Sequence, residues 1–311
     1  MSKVLVTGAT GFVGQYVVMA CKQAGYTVTP LAGRASNHFG YAALDINAST
    51  DWSSYLSDVT AVVHCAARVH VMTDEVNDPL TAYRAINTDG TLQLARQAAE
   101  AGVKRFVFIS SIKVNGEATE PGRAFTSSVN SAPTDPYALS KYEAEQGLLA
   151  IAKESAMEVV IIRPPLVYGP SVKANFASLL KLVQKGLPMP FGAINNTRSL
   201  VYIGNLVDLI ITTLTHPQAA NQVFLVSDDN DVSTTTLLRE MANATGSPCY
   251  LLPVPSCWLL GLTKLVGKPG IGERLCGNLQ LDISETKSCL NWRPPYNLAD
   301  SLKLTVQHPD N

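Results

Sequence analysis

The chain reads as a doubly wound parallel α/β sheet with a smaller C-terminal α/β substrate domain. Three features predict this. Short β-rich runs alternate with helical patterns through the first half, the runs are almost continuously apolar, and a glycine-rich turn follows the first of them. Strands covered on both faces lose the polar alternation of half-exposed sheets, and right-handed helical crossovers between them wind the sheet both ways.

The predicted strands are VLVTG (4–8), TVTPL (27–31), AVVHCA (61–66), RFVFIS (105–110) and VVIIRP (159–164), with helical segments at 12–24, 79–101 and 137–153. Together they assign 1–165 to the sheet domain. Beyond it prolines and glycines become frequent (GLPMPFG, PVPSC, KPGIG, WRPP), and helical patterns recur at 172–186, 204–215 and 234–245. Residues 166–311 therefore read as the substrate domain, although VFLV (223–226), and with it the stretch 201–226, can return to the main sheet. CWLLGLTKLVG (257–267) is too short to span a bilayer and reads as a core helix of the small domain, with a peripheral membrane contact as the alternative.

Composition sets limits on function. With 311 residues, 46% hydrophobic, 16% charged and a net charge of −1, the chain has the makings of an ordinary globular core. That charge balance gives no footprint for nucleic acid or an anionic surface. The six cysteines form no CxxC pair and none has a histidine at ligand spacing, so they read as buried thiols in a reducing, cytoplasmic setting with no metal site. The opening SKVLVTGATG is a strand and a turn, without the apolar h-region of a signal peptide.

In VLVTGATGFVG, Gly8, Gly11 and Gly14 leave the first strand and enter a helix. Gly8 permits a tight turn, Gly11 lets backbone approach a pyrophosphate, and Gly14 lets the helix lie close to the sheet. The helix N-terminus then offers free N–H groups to phosphate. Strand before and helix after are the context that gives such a triplet meaning.

A second signal is PYALSKYEAE (136–145), where Tyr137 and Lys141 lie one turn apart on one helix face. An ammonium beside a phenol stabilises phenolate, and a cationic oxidised nicotinamide would lower the phenol further, toward the range of a general acid/base. Alone, the pair is equally an ordinary helix start with an exposed lysine.

GxxGxxG after a strand, with PYxxSKxxxE 26 residues after SSIKVNG, resembles the extended branch of the short-chain dehydrogenase/reductase superfamily, the NAD-dependent epimerase/dehydratase family. The resemblance covers nearly the whole chain, strongly to about residue 210, and implies a Rossmann-type fold. It makes Tyr137 the acid/base, Lys141 its modulator and nicotinamide-ribose ligand, and Ser111 (Ser110 as fallback) the partner of the reacting oxygen. It further implies cofactor contacts at Gly8, Thr10, Gly11, Phe12, Val13, Gly14, Asp45, Ile46, Ala66, Ala67, Asn87 and Ser110. For a nucleotide diphosphate it implies Asn175, Arg198 and, more loosely, Arg274. Members of the branch dimerise through helices matching 79–101 and 137–153. Ala95, Ala98, Ala99 and Ala144 would permit that packing, or equally packing on the sheet.

Departures from the pattern narrow the reaction. Ile112 and Lys113 stand where dehydratases of the family carry Asp-Glu, which argues against dehydration. TVTPLAGR ends the second strand without the acid that usually holds an NAD ribose, and Arg34 there can pair with a 2′-phosphate, which favours NADP(H) with NAD(H) still possible. Asn115 replaces a tyrosine usual in sugar epimerases. SSIKVNGE…DPYxxSKxxAE with a later LNWRPP also resembles reductases of UDP-linked 4-keto-6-deoxy amino sugars, which implies an NADP(H)-dependent reductase of a UDP-linked 4-keto-6-deoxy sugar, serving polysaccharide biosynthesis. The alternative is a UDP-glucose or UDP-N-acetylhexosamine 4-epimerase with tightly bound NAD. A non-catalytic regulator on the same fold would tend to lose the Tyr–Lys pair, which this chain keeps.

Overall fold

The computed structural model describes residues 2–33, 40–69, 78–267 and 269–307. Its centre is a seven-stranded sheet in the order β3-β2-β1-β4-β5-β6-β9, with every neighbouring pair parallel. The strands are β1 (Lys3–Thr7), β2 (Thr27–Ala32), β3 (Ala42–Ala43), β4 (Val59–His64), β5 (Arg105–Ile109), β6 (Glu158–Arg163) and, from late in the chain, β9 (Gln222–Leu225). The winding reverses between β1 and β4, the switch point at whose C-terminal strand ends such sheets bind ligands.

Side chains alternate across this sheet and both faces are apolar, which is why the strands read as continuous runs. Val4, Val6, Val63, Val107, Val160 and Ile162 face one layer, where α1 (Phe12–Gln23) packs beside α7 (Ile203–Thr215). Leu5, Val62, Phe106, Phe108, Val159 and Ile161 face the other, formed by α2 (Ser53–Leu56), α4 (Thr91–Glu100) and α5 (Pro136–Glu154).

The segment expected as one helix over 79–101 is three pieces: α3 (Pro79–Tyr83), a π-helical stretch Arg84–Gly90, and α4. A Cβ on Gly90 would lie 2.6 Å from Ile46 Cγ2, and the widened turn leaves Asn87 buried at its centre. Ala95, Ala98 and Ala144 are fully buried in the sheet-facing core of the single chain, so they are not what a partner helix would meet.

In the later part, β7 (Leu166–Tyr168) pairs with β8 (Leu200–Tyr202) outside the main sheet. The buried Asp228 carboxylate joins them to α7. It accepts Tyr168 Oη (2.8 Å), the Tyr202 N–H (2.8 Å) and Asn205 Nδ2 (2.7 Å). The rest is helical: α6 (Ala174–Gln184), α8 (Thr234–Thr245), α9 (Ser256–Leu265), α10 (Pro269–Cys276), α11 (Ser284–Leu290) and α12 (Leu298–Gln307).

Two expectations are corrected here. The 257–267 stretch is not a core helix, because only Leu259 of α9 is buried, while Trp258, Leu262 and Leu265 are exposed. The thiols are not uniformly buried either: Cys21 is, whereas Cys257 is exposed.

His64, at the C-terminal end of β4, is wholly enclosed. Its Nδ1 meets Thr7 Oγ1 at 2.7 Å, its Nε2 meets Thr91 Oγ1 at 3.0 Å, and its ring stacks on Phe108. Burial, with the nearby Lys141 charge, pushes its pKa down to about 3. The unfolded chain binds a proton there below about pH 6.5 that the folded chain refuses. Stability therefore falls as pH drops from about 6.5, by up to about 1.4 kcal/mol per pH unit from this group. Urea titrations at pH 7 and pH 5 should show that slope in the parent chain and a shallower one in His64→Gln.

Candidate active site

The glycine turn is built as the spacing requires. Gly8 adopts φ +64°, and a Cβ on it would lie 2.7 Å from the Ala66 nitrogen. The end of β1 and the segment after β4 therefore touch backbone to backbone at the switch point. Gly11 donates its N–H to the Gly8 carbonyl (2.8 Å) and starts α1 in an extended conformation. A Cβ on Gly14 would lie 2.1 Å from the Gly8 oxygen. No side chain caps α1 and no acid lies in its first turn, so the N–H groups beyond Thr10, at Phe12 and Val13, keep their donor capacity for an anion. Two positions where only glycine fits, Gly8 and Gly14, and a third where a side chain would be tight, around an uncapped helix start, suit a dinucleotide pyrophosphate.

Asn87 braces the same edge. Its Oδ1 accepts the Arg68 N–H (2.8 Å), and its Nδ2 donates to the Arg68 carbonyl (3.0 Å) and to Ser140 Oγ (3.1 Å). This fixes the Ala66–Ala67 segment relative to α5. Ile46 packs against Gly90, and the Asp45 carbonyl accepts Thr50 Oγ1 (2.7 Å), so that pair is held against the π-helical turn.

α5 begins with a strong start signal: Asp135 caps the Ala138 N–H (2.9 Å) and Pro136 follows at the first helical position. This sets Tyr137 in the first turn, edge-on to Tyr83 with ring centroids 5.7 Å apart. The Tyr137 hydroxyl lies within reach of Ser111, which acts to lower its pKa and stands where the chain leaves β5, capping a 3₁₀ turn at Ile112–Val114. The predicted serine and tyrosine therefore meet.

Lys141, one turn on, is buried. Its Nζ donates to the Ile109 carbonyl at 2.7 Å and sits 3.9 Å over the Phe108 ring. Burial pushes its pKa down to about 7, against the opposing pull of Glu145.

Here the electrostatic expectation is corrected. Tyr137 is not lowered in this chain alone: enclosure of its hydroxyl raises it to about 12, Ser111 acts downward, and Asp135 and Tyr83 act upward. The desolvated ammonium takes the strand-end carbonyl as its acceptor.

Beneath the triad lies a network that the motif reading missed. Glu145, fully buried, receives Arg163 on both oxygens (Nε 3.0 Å, Nη2 2.6 Å) and Ser110 Oγ (2.5 Å). Arg163 Nη1 donates in turn to Asn115 Oδ1 (3.1 Å) and the Ser127 carbonyl (2.8 Å), while Asn115 Nδ2 donates to the Thr126 and Ser128 carbonyls. Asn115 thus ties the 126–128 loop to the catalytic strand end. Ser110 faces this network and is not the serine that meets Tyr137. A buried arginine closing an apolar strand, and an acid at i+4 from Lys141, were the available signals.

On the substrate side, half-buried Arg198 donates to the Gly277 carbonyl (3.0 Å) and bridges to Val232 and Leu279. Arg274, on α10, lies close enough to depress it, as one cation beside another. Two guanidiniums side by side are a natural seat for a diphosphate. Asn175 is exposed in the first turn of α6. Arg34 lies outside the described residues.

Glu145→Gln removes the charge that raises Lys141 and leaves Arg163 buried and unpaired. His64 and Cys65, at the end of β4, are the other titratable groups facing the ammonium. Lys141 should move below about 7, carrying the matching limb of the pH–rate profile to lower pH. Stability should fall by about 3–5 kcal/mol. The profile shift separates a charge effect from a packing loss.

Residues 4–227 match the model of the NAD dependent epimerase/dehydratase family. A UDP-glucose 4-epimerase of Vibrio cholerae is 56% identical over 98% of this chain and 94% of its own length. A UDP-glucose 4-epimerase of Thermotoga maritima, solved with UDP-glucose, shares the fold at TM-score 0.76 and 23% identity, covering 98% of each chain. The Thermus thermophilus UDP-glucose 4-epimerase, solved with NAD, does so at TM-score 0.75 and 23% identity over the same shares. The relative of 56% identity overturns the expectation of a 4-keto sugar reductase and favours its epimerase alternative. The preference for NADP(H), which rested on Arg34, gains nothing from these neighbours, and solved relatives of the fold carry NAD or NADPH. By its sequence match and its fold, the chain belongs to the NAD-dependent epimerase/dehydratase family.

Proposed function

We propose that the chain is a UDP-hexose 4-epimerase working with retained NAD, and that UDP-glucose and UDP-galactose are its first substrates to test. The observation that carries this is 56% identity, end to end, with a UDP-glucose 4-epimerase. Ser111 close to Tyr137, with the buried Lys141 one turn on, supplies the chemistry such a reaction needs. In this reading, residues 1–165 hold the cofactor, 166–311 receive the sugar nucleotide, and the enzyme works in the cytoplasm.

When bound, NAD would accept a hydride from C4 and return it to the other face of the sugar ring. The protein's part is to move one proton and hold one oxygen. Tyr137, as phenolate, takes the O4 proton while the C4–H bond breaks, and gives it back as the hydride returns, so atoms and charge balance over the cycle. Ser111 hydrogen-bonds O4 as it becomes a carbonyl oxygen. Tyr137 starts from about 12, and the positive charge that brings it into range comes from protonated Lys141 and the oxidised nicotinamide. Arg198 and Arg274 hold the diphosphate and leave the sugar as the reacting end.

Denaturing the purified protein should release stoichiometric NAD(H), and the native protein should interconvert UDP-glucose and UDP-galactose without added reductant. Release of no nucleotide, together with NADPH consumption, would sink the reading. Tyr137→Phe should lower kcat by about 10²–10⁴ while NAD content stays near normal. A variant with near-normal kcat would remove Tyr137 from the mechanism.

A further inference from the structure

α9 turns its apolar side outward. Trp258, Leu262 and Leu265 are 73%, 57% and 85% exposed. With Gly261 they fall at i, i+3, i+4 and i+7, one continuous face of the helix. Val266, beyond the helix end, and Ile271 on α10 are also exposed, at 60% and 43%. Single exposed hydrophobic residues are ordinary on any surface, but a contiguous row marks a contact site. The row is rigidly carried: α9 packs on α10, and a Cβ on Gly272 would lie 2.2 Å from Thr263 Oγ1.

Charge says what could cover it. From Met241 to Cys276, the end of α10, the sequence has one acidic residue, Glu273, against Lys264, Lys268 and Arg274, in a chain whose net charge is −1. Lys264 is exposed on α9 at the edge of the row. A two-fold contact between copies would bring this basic segment against itself, with the exposed Glu273 alone to answer its cations. Anionic headgroups supply that counter-charge. Exposed tryptophan and leucine beside lysine is the composition that settles at the headgroup–acyl boundary. α9 has 10 residues, about 15 Å of helix, so it can lie in the interface but not cross it.

We propose that the α9–α10 face docks the protein peripherally on a bilayer containing anionic phospholipid. The face adjoins the substrate side of the site, since Arg274 on α10 neighbours Arg198. Docking so places the sugar-nucleotide end of the enzyme near the membrane surface and leaves the dinucleotide turn on the sheet. It does not depend on which sugar is epimerised.

The chain carries its own reporter. Trp52 and Trp292 are buried at 0% and 5% exposure, so Trp258 is the indole whose surroundings docking would change. The experiment is flotation with phosphatidylcholine vesicles containing about one-third phosphatidylglycerol, alongside tryptophan emission. The protein should float with these vesicles, its emission should shift to the blue, and added salt should weaken both effects. The double variant Leu262→Asp/Leu265→Asp should lower the bound fraction about tenfold or more and leave turnover in solution unchanged. Absence of flotation with unshifted emission would overturn the proposal. So would concentration-dependent self-association of the parent chain that the double variant abolishes, because that assigns the face to a second copy.

Discussion

The site depends on one close contact, the backbone of Gly8 against the backbone of Ala66 at the point where the sheet's winding reverses. A Cβ at position 8 would sit 2.7 Å from the Ala66 nitrogen and would push β1 and β4 apart at their C-terminal ends. Everything the site uses is referenced to that contact. α1 starts from it and offers its N–H groups there. The Ala66–Ala67 segment is held in place by Asn87, which reaches across from the π-helical turn to Ser140 on α5. The same helix carries Tyr137 and Lys141. A backbone constraint on one side of the sheet is thereby transmitted to the reacting groups on the other.

Burial acts on the two titratable groups in opposite directions. It raises Tyr137 to about 12 and lowers Lys141 to about 7, because in each case the charged form is the one that loses solvation. The chain alone therefore holds the tyrosine as a phenol. Glu145 opposes the effect at the lysine and keeps the ammonium charged near neutral pH, while Arg163 and Ser110 prevent that carboxylate from being a buried unpaired anion. This arrangement leaves the last increment of positive charge to the oxidised cofactor. The phenol is then activated chiefly when the hydride acceptor is in its oxidised form.

The parts of this design that follow local rules were legible in the sequence. A glycine triplet between a strand and a helix, a capped helix start at Asp135–Pro136, and continuous apolar strands each state their own geometry. The placing of Tyr137 and Lys141 on one face was legible for the same reason, since they are four apart on one helix. What escaped depends on long-range contacts. Arg163 finds Glu145 and Asn115 across 18 and 48 residues, and no pattern within one segment announces such partners. The π-helical break at Arg84–Gly90 ends where Gly90 packs against Ile46, a tertiary contact. The outward face of α9 looked like core because an apolar helix stripe has the same period whichever way it points. The choice of reductase over epimerase rested on Arg34 with the missing ribose acid, and on a resemblance to reductases of 4-keto sugars. Asn115 proves to be occupied with Arg163 and the 126–128 loop, and Arg34 lies outside the described residues.

The central claim is that the C4 hydrogen leaves and returns within one site, with Tyr137 moving only the hydroxyl proton. UDP-glucose deuterated at C4, turned over in ordinary water with no added nicotinamide, tests this directly by mass spectrometry of the product. The account predicts UDP-galactose with the deuterium fully retained at C4. Loss of the label to solvent, or turnover only on addition of external NADPH, would contradict it.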